Sequence, residues 1–362
     1  MKPVKILAIN PGSTSTKIAV FENTDKEHKL LLKKNIDHPS EEIHKYNRII
    51  DQYHFRSELI KAALTENGID IDELSCVVGR GGLFKPVKSG TYLVNERMMD
   101  DIKSPETLEH ASNLGCLMAY DIAQSTGKKA FIVDPVVVDE MEDIARFSGL
   151  KKYPRTSIFH ALNQKAIARK CAEDHNREYN QLNLIVVHLG GGITIGAHKK
   201  GNVVDVNNGL TGEGPFSPER SGGIAVFDII ELCFCEGMTK SKAKKAVVGK
   251  GGIVDYLGTN DMREVEDRVL KGDKEAESVF EAMCYQITKE IGAMAAAVFA
   301  GKVDYIVLTG GIAYDRRLVS FIKEKTGFIA PVEAYPGEDE MMALYLGGLR
   351  VIKGIDKELI YE

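Results

Sequence analysis

The sequence has no apolar run of about 18 residues, the length a membrane-spanning helix needs. Its first residues, MKPVKILAIN, lead straight into a strand-like stretch. Neither a signal peptide nor a membrane span is expected, and a cytoplasmic location fits. Positive charge is not in excess: 47 Lys and Arg against 52 Asp and Glu give a net charge of -5. That balance leaves no electrostatic footprint for nucleic acid. Cysteine is sparse, with six residues scattered at 76, 116, 171, 233, 235 and 284. This is no disulfide framework for a chain of this size, and free thiols in a reducing compartment fit better. The close pair Cys233 and Cys235 lies in the apolar helical run FDIIELCFCEG. No second Cys/His pair sits at zinc spacing, so these two are expected as buried thiols. Low-complexity segments and Pro- or Ser-rich linkers are also missing.

What is there is an ordinary globular composition, 44% hydrophobic and 27% charged over 362 residues. That length exceeds one ordinary core, so two domains are expected. Strand-like stretches open the chain at about 4–10, 17–22 and 29–35. A polar helix is expected over 40–67, with Ser40 as a possible cap. Strands follow at SCVVGRGG, GTYLVN and KAFIVD, with a helix over about 112–125 between the last two. After Tyr153 the pattern restarts. A helix over about 158–174 precedes LNLIVVHLGGGITIGAHKKGNVVDV, which reads as three strands joined by tight turns. Helices dominate about 224–300, and a last helix is expected over about 339–352.

The two meanders share one device. ILAINPGSTSTKIAVF and LIVVHLGGGITIGAH each run from a strand through a polar residue and a Gly/Ser/Thr tip into a second strand. A tip without Cβ atoms lets backbone N–H groups approach an anion closely. In the first tip Ser13, Thr14, Ser15 and Thr16 add hydroxyls and Lys17 adds a charge. A single tip could be a plain hairpin turn. Two in corresponding places, with LTGGIAYD as a third glycine turn after a strand, point to phosphate and nucleotide binding. Neither the Walker pattern nor a G-x-G-x-x-G opening a helix is present, so those phosphate folds are not supported.

The stretches NPGSTSTK, RTSIFHALN, HLGGGITIG, DVNNGLTGEGPFSPERSG, LTGGIAYD and PGEDEMMAL resemble the acetokinase family of the acetate and sugar kinase/Hsp70/actin superfamily. The resemblance runs the length of the chain, and the SPERSG segment is its most specific part. It implies an α/β fold of two RNase H-like (actin-like ATPase) domains with a nucleotide cleft between them. The first would cover 1–150 plus a helix returning over 336–362, and the second 151–335. It implies transfer of the ATP γ-phosphoryl group to a short-chain carboxylic acid with Mg²⁺, in a homo-oligomer.

That chemistry needs cations and rigid donors more than a base, because a carboxylate is already ionised at neutral pH. By resemblance, Arg220 holds the carboxylate or the moving phosphoryl group; a salt bridge to Glu219 or Glu213 is its plainer alternative. Arg80 resembles the second substrate arginine, and the short GRGGLF loop after it implies an acid longer than acetate. His160 resembles the transition-state histidine, and Asp134 the catalytic aspartate at a strand's carboxyl end. Pro135 narrows the backbone choices of Asp134. Glu340, with Glu338 as its rival, resembles the metal-proximal acid; Asn10 would join it near Mg²⁺, mostly through water. Nucleotide contacts are expected from Asn10, Gly12, Ser13, Thr14, Ser15 and Lys17. In the second half they are expected from His188, Gly190, Gly191 and Gly192, and from Gly310, Gly311 and Ile312. Asp261 and Arg263 resemble a segment near the nucleotide and are given no catalytic part. His198 is expected to be exposed. A sugar kinase of the same superfamily would need a base for a hydroxyl and, in one branch, a zinc-binding cysteine cluster that these cysteines do not supply.

Overall fold

A computed structural model describes residues 3–24 and 27–362. In chain order the strands are β1 (Val4–Pro11), β2 (Ser15–Asn23), β3 (His28–Asp37), β4 (Cys76–Arg80), β5 (Thr91–Leu93) and β6 (Lys129–Val133). They continue with β7 (Asn183–Leu189), β8 (Ile193–Lys199), β9 (Asn202–Val206), β10 (Tyr305–Gly310), β11 (Val332–Pro336) and β12 (Leu359–Ile360). The chain divides into two compact units, 1–138 with 339–362, and 139–338.

The first unit carries a seven-stranded sheet in the order β12-β5-β6-β4-β1-β2-β3. Strands β1, β2 and β3 form an antiparallel meander, and β4 and β6 extend it in parallel from β1. Ile6, Leu7 and Ile9 of β1 are all fully buried. A strand covered on both faces needs such an unbroken apolar run, and each of these side chains contributes about 2 kcal/mol by leaving water. One face packs on the helix Asn113–Ser125, which joins Leu7 and Ile9 through Leu114 and Leu117. The helix Glu340–Ile352 lies close enough for Gly348 to meet Val78 and Ile6.

The second unit has a five-stranded sheet, β11-β10-β7-β8-β9. Its meander β7-β8-β9 again leads into two parallel strands, β10 and β11. The runs β3-β2-β1-β4-β6 and β9-β8-β7-β10-β11 therefore repeat one arrangement. The long helix Lys274–Phe299 supplies much of this unit's core, with Phe280, Met283, Ile287 and Ile291 buried against Ile185 and Ile195.

Three expectations need correction. The helix over 40–67 is broken into a short turn Ser40–Ile43, a 3-10 turn Ile49–Gln52 and a helix Tyr53–Glu66. After the break the Glu109 carboxylate accepts from Arg48 Nε at 2.6 Å and from the Ile49 amide at 3.2 Å. Ser40 makes no cap bond, and Pro39 takes the cap position. Cys233 and Cys235 are exposed rather than buried, while all six cysteines are free thiols. Both lie on or just past the helix Val226–Phe234, which has no buried residue and leaves Val226, Phe227 and Phe234 bare. Among the described residues its apolar face stays largely uncovered. Among the described residues no helix is long and apolar enough to cross a membrane.

Candidate active site

In the first unit the tip between β1 and β2 closes with a Gly12 N–H to Ser15 carbonyl bond of 2.7 Å. Gly12, Ser13 and Thr14 are exposed, Ser15 is half-buried, and Lys17 is exposed on β2 opposite Asn10. Beneath the tip lies Arg56, fully buried. Its Nη1 donates to the Gly12 carbonyl at 2.8 Å and its Nη2 to the Ser13 carbonyl at 2.9 Å. The sequence reading missed Arg56, because nothing in the local pattern YHFRSELI ties it to a turn 40 residues earlier.

Asn10 ends buried at the carboxyl end of β1. Its side-chain amide donates to Glu340, the first residue of the helix Glu340–Ile352. Arg80, ending β4, pairs with Glu340 through Nη1 at 2.7 Å and donates to Asn10 Oδ1 at 3.3 Å. These three form one closed set. Arg80 stands where it does because two glycines meet behind it: a Cβ on Gly115 would lie 2.3 Å from the Arg80 carbonyl oxygen. Asp134, one residue past β6, is almost fully buried, and its φ is +37°. Such a conformation is costly for a residue with a Cβ and persists only where its surroundings impose it. Here Ser89 Oγ donates to the carboxylate at 2.6 Å and the Gly90 N–H at 2.8 Å, while the Asp134 N–H reaches the Gly90 carbonyl at 3.0 Å.

In the second unit Gly190, Gly191 and Gly192 form the corresponding tip. Four side chains border it. A Cβ on Gly190 would meet His188 and Glu338, one on Gly191 would meet Glu219, and one on Gly192 would sit 1.3 Å from Arg220 Nη1. The guanidinium of Arg220 thus lies directly on Gly192. Its Nε is buried with no hydrogen-bond partner. Burial holds its pKa below the usual arginine value, with Glu219 opposing that shift. The salt-bridge alternative fails. Glu219 accepts instead from Asn260 Nδ2 at 2.6 Å, and Glu213 pairs with Arg155.

His160 precedes the helix Ala161–Asp174 as its N-cap, and its Nδ1 accepts from the Asn163 N–H at 3.4 Å. In the neutral ring the proton is therefore on Nε2, which faces Glu338 at 3.6 Å. The buried Asn163 also holds His188: its Oδ1 lies 2.9 Å from His188 Nδ1, which makes Nδ1 the protonated nitrogen there. His188 Nε2 then faces Glu338 at 3.4 Å, and the two rings lie 4.2 Å apart. One asparagine thus sets the proton positions of both histidines, fixing ring tautomer through the nitrogen away from the ligand. Asn163 was not foreseen, although the spacing in HALN carries the signal. Glu338 and Glu340 separate here: Glu338 stands with the histidines of the second unit, and Glu340 with Asn10 and Arg80 of the first.

Gly310 ends β10 with φ +94° and exchanges backbone bonds with Gly337 at 3.1 and 2.9 Å. Gly311 is exposed and Ile312 buried in the 3-10 turn that follows. Asp261 caps the helix Met262–Leu270 and pairs with Arg263 at 2.6 Å, a local use that leaves neither for ligand chemistry. His198, expected to be exposed, is fully buried between Tyr179 OH at 2.8 Å and Gln164 Oε1 at 3.0 Å. The helix Ala161–Asp174 supplies Gln164 and covers it, and burial lowers its pKa well below the usual histidine value.

The repeated meander with parallel extensions is the RNase H-like, actin-like ATPase arrangement, present in each unit. Solved structures with the same fold include acetate kinase from Porphyromonas gingivalis, at TM-score 0.79 and 20% identity, covering 96% of this chain and all of that one. A propionate kinase from Francisella tularensis subsp. tularensis SCHU S4 matches at TM-score 0.72 and 20% identity, covering 95% of this chain and 98% of that one. A ROK family protein from Streptococcus pneumoniae TIGR4 in complex with sucrose is more distant, at TM-score 0.51 and 12% identity, covering 98% and 100%. Residues 147–321, most of the second unit, match the model of the acetokinase family. Over that stretch the second unit is similar to the acetokinase family.

Proposed function

We propose that this protein is a butyrate kinase, which moves the γ-phosphoryl group of ATP reversibly onto butyrate and acts in the cytoplasm. A carboxylate oxygen attacks the γ-phosphorus, the bond to the β-phosphate oxygen breaks, and butyryl phosphate and ADP result. No proton has to leave the acceptor, so the site needs positive charge and fixed donors. The observation that carries this reading is Arg220, a buried guanidinium lying on a glycine tip with its Nε unused. A buried donor without a partner is costly, and an anion would satisfy it. In this reading Arg220 holds the moving phosphoryl group, His160 donates its Nε2–H to an equatorial phosphoryl oxygen, and His188 orients the phosphates. Arg80 holds the acid, and Asn10 to Lys17, Gly190 to Gly192 and Gly310 to Ile312 receive the nucleotide.

Magnesium would neutralise the charge on the phosphate oxygens. The donors in the first unit suit it, because they are oxygen donors, hard and anionic. Glu340 is already charge-compensated by Arg80 and Asp134 is bonded by Ser89 and Gly90. Each would therefore hold the ion mostly through water.

The preference for a longer acid rests on the sequence resemblance, in which the loop after Arg80 is short. Gly81 and Gly82 pack closely on Pro135 and Asn113, where a Cβ would overlap, Leu83 is buried, and Phe84 is turned edge-on to Tyr361 at 5.4 Å. A homo-oligomer is supported by the bare apolar helix Val226–Phe234.

Two variants test the assignment. Arg220→Ala should lower kcat by about 100-fold or more, the scale of losing one transition-state donor. Arg80→Ala should raise KM for the acid more than KM for MgATP. Near-normal kcat/KM for butyrate in both variants would remove the basis for these roles.

A further inference from the structure

We infer that Arg56 is a positioning residue for nucleotide phosphates: it turns the N–H groups of the first tip outward and sets an uncompensated positive charge behind them. The inference rests on the reading above, in which the Asn10–Lys17 tip receives those phosphates.

The geometry follows from the planar trans peptide. Across each peptide bond the carbonyl of one residue and the N–H of the next point in opposite directions. The Gly12 and Ser13 carbonyls both point inward to Arg56, at 2.8 and 2.9 Å. The N–H groups of Ser13 and Thr14 must therefore point away from it. Both residues are exposed, and neither N–H donates to any described protein group. Two successive outward N–H groups at a turn form an anion-binding concavity.

The charge behind them is not cancelled. Among the described residues no carboxylate ion-pairs with Arg56. Its partners are neutral: the two carbonyls, the Ser15 carbonyl and Thr16 Oγ1 at 3.4 Å, and Gln52 Oε1 at 3.2 and 2.7 Å. Burial brings its pKa down to about 10, so the guanidinium stays charged near neutral pH. Proteins usually pair a fully buried cation with an acid. Here only neutral oxygens meet it, and the field of a charge with no counter-ion reaches past the tip. A fork is required, since one point charge cannot hold two carbonyls in fixed directions. The second unit holds its own tip similarly: the Gly191 carbonyl accepts from Ser217 Oγ at 2.7 Å and from the Glu219 N–H at 3.4 Å. There the anchor is neutral, and the charge comes from Arg220 beside the tip.

Gln52→Glu separates the field from the scaffold. It keeps the size and the bond to Arg56 but supplies a counter-charge. The full-length protein, wild type and variant, would be compared by MgATP titration calorimetry and by thermal melting. We expect MgATP to bind about fivefold or more weakly, with a melting temperature equal to or above that of the wild type. Wild-type affinity in Gln52→Glu would overturn the role of the charge. Arg56→Lys keeps a charge and loses the fork; it should bind MgATP at least about tenfold more weakly, and wild-type affinity would overturn the orienting role. A wild-type protein that binds no MgATP would instead sink the nucleotide reading itself, a result distinct from either variant outcome.

Discussion

Three arginines near the candidate phosphate donors differ in how their charge is met. Arg56 is surrounded by neutral oxygens, Arg80 is paired with Glu340, and Arg220 keeps a buried Nε without a partner. The difference matters because a buried cation is tolerated only when its donors are used or a ligand will use them. His38, beneath the same tip as Arg56, shows the influence of that charge. Burial, and then the nearby Arg56, lower its pKa to about 4, and its Nε2 lies 2.8 Å from Thr16 Oγ1. A histidine with a depressed folded pKa favours the native state above its ordinary value near 6.5. Stability is lost as pH falls from there toward 4, since the unfolded chain takes up the proton first. The loss should be on the order of 3 kcal/mol across that window. His198, also depressed by burial, acts in the same direction. Urea midpoints measured at pH 7.5 and pH 5 should fall with acid in the wild type and fall less in His38→Gln. Equal slopes would show that His38 is not the source.

At the scale of elements, the tips depend on what lies on them. Gly192 has an ordinary backbone conformation, yet a Cβ there would overlap Arg220 Nη1 at 1.3 Å. Gly192→Ala should therefore push the guanidinium aside and leave the strands alone. We expect kcat to drop about 100-fold, close to the loss for Arg220→Ala, with a melting temperature within a few degrees of wild type. A variant with full activity would mean that Arg220 acts from another position. The strands and both tips were legible in the sequence because unbroken apolar runs flank small polar residues there. The carboxyl-end placement of Arg80 and Asp134 was legible for the same reason. The break in the helix over 40–67 was not, and the residues after it bond to Glu109, some 60 residues away in sequence. Burial misled in both directions. His198 looked exposed at a strand end, whereas Cys233 and Cys235 looked buried in an apolar run that this chain does not cover. Long-range partners decide such cases, and local pattern carries no trace of them. Arg56 is the strongest example: the carbonyls it holds belong to a turn formed about 40 residues before it in the chain.

At the scale of the whole molecule, one sheet arrangement is used twice, and each copy carries a small-residue tip with an arginine close by. The first adds Asn10, Arg80, Asp134 and Glu340, and the second adds His160, His188 and Arg220. Each set supplies cations and hydrogen-bond donors for anions. Such donors suit the proposed transfer to a carboxylate. In the proposed reading the acceptor is longer than acetate. Each methylene that finds an apolar wall adds about 0.8 kcal/mol, so two should favour butyrate over acetate by about tenfold if the contact persists in the transition state. Butyrate and isobutyrate should differ less, because pockets reject one misplaced methyl weakly. The decisive measurement is acyl phosphate formation, trapped with hydroxylamine, for acetate, propionate, butyrate, isobutyrate and valerate at saturating MgATP. The account predicts acyl phosphate and stoichiometric ADP, with the highest kcat/KM at the four-carbon acids. A preference for acetate would contradict the acceptor assignment, and no acyl phosphate from any of the five would contradict carboxylate phosphotransfer itself.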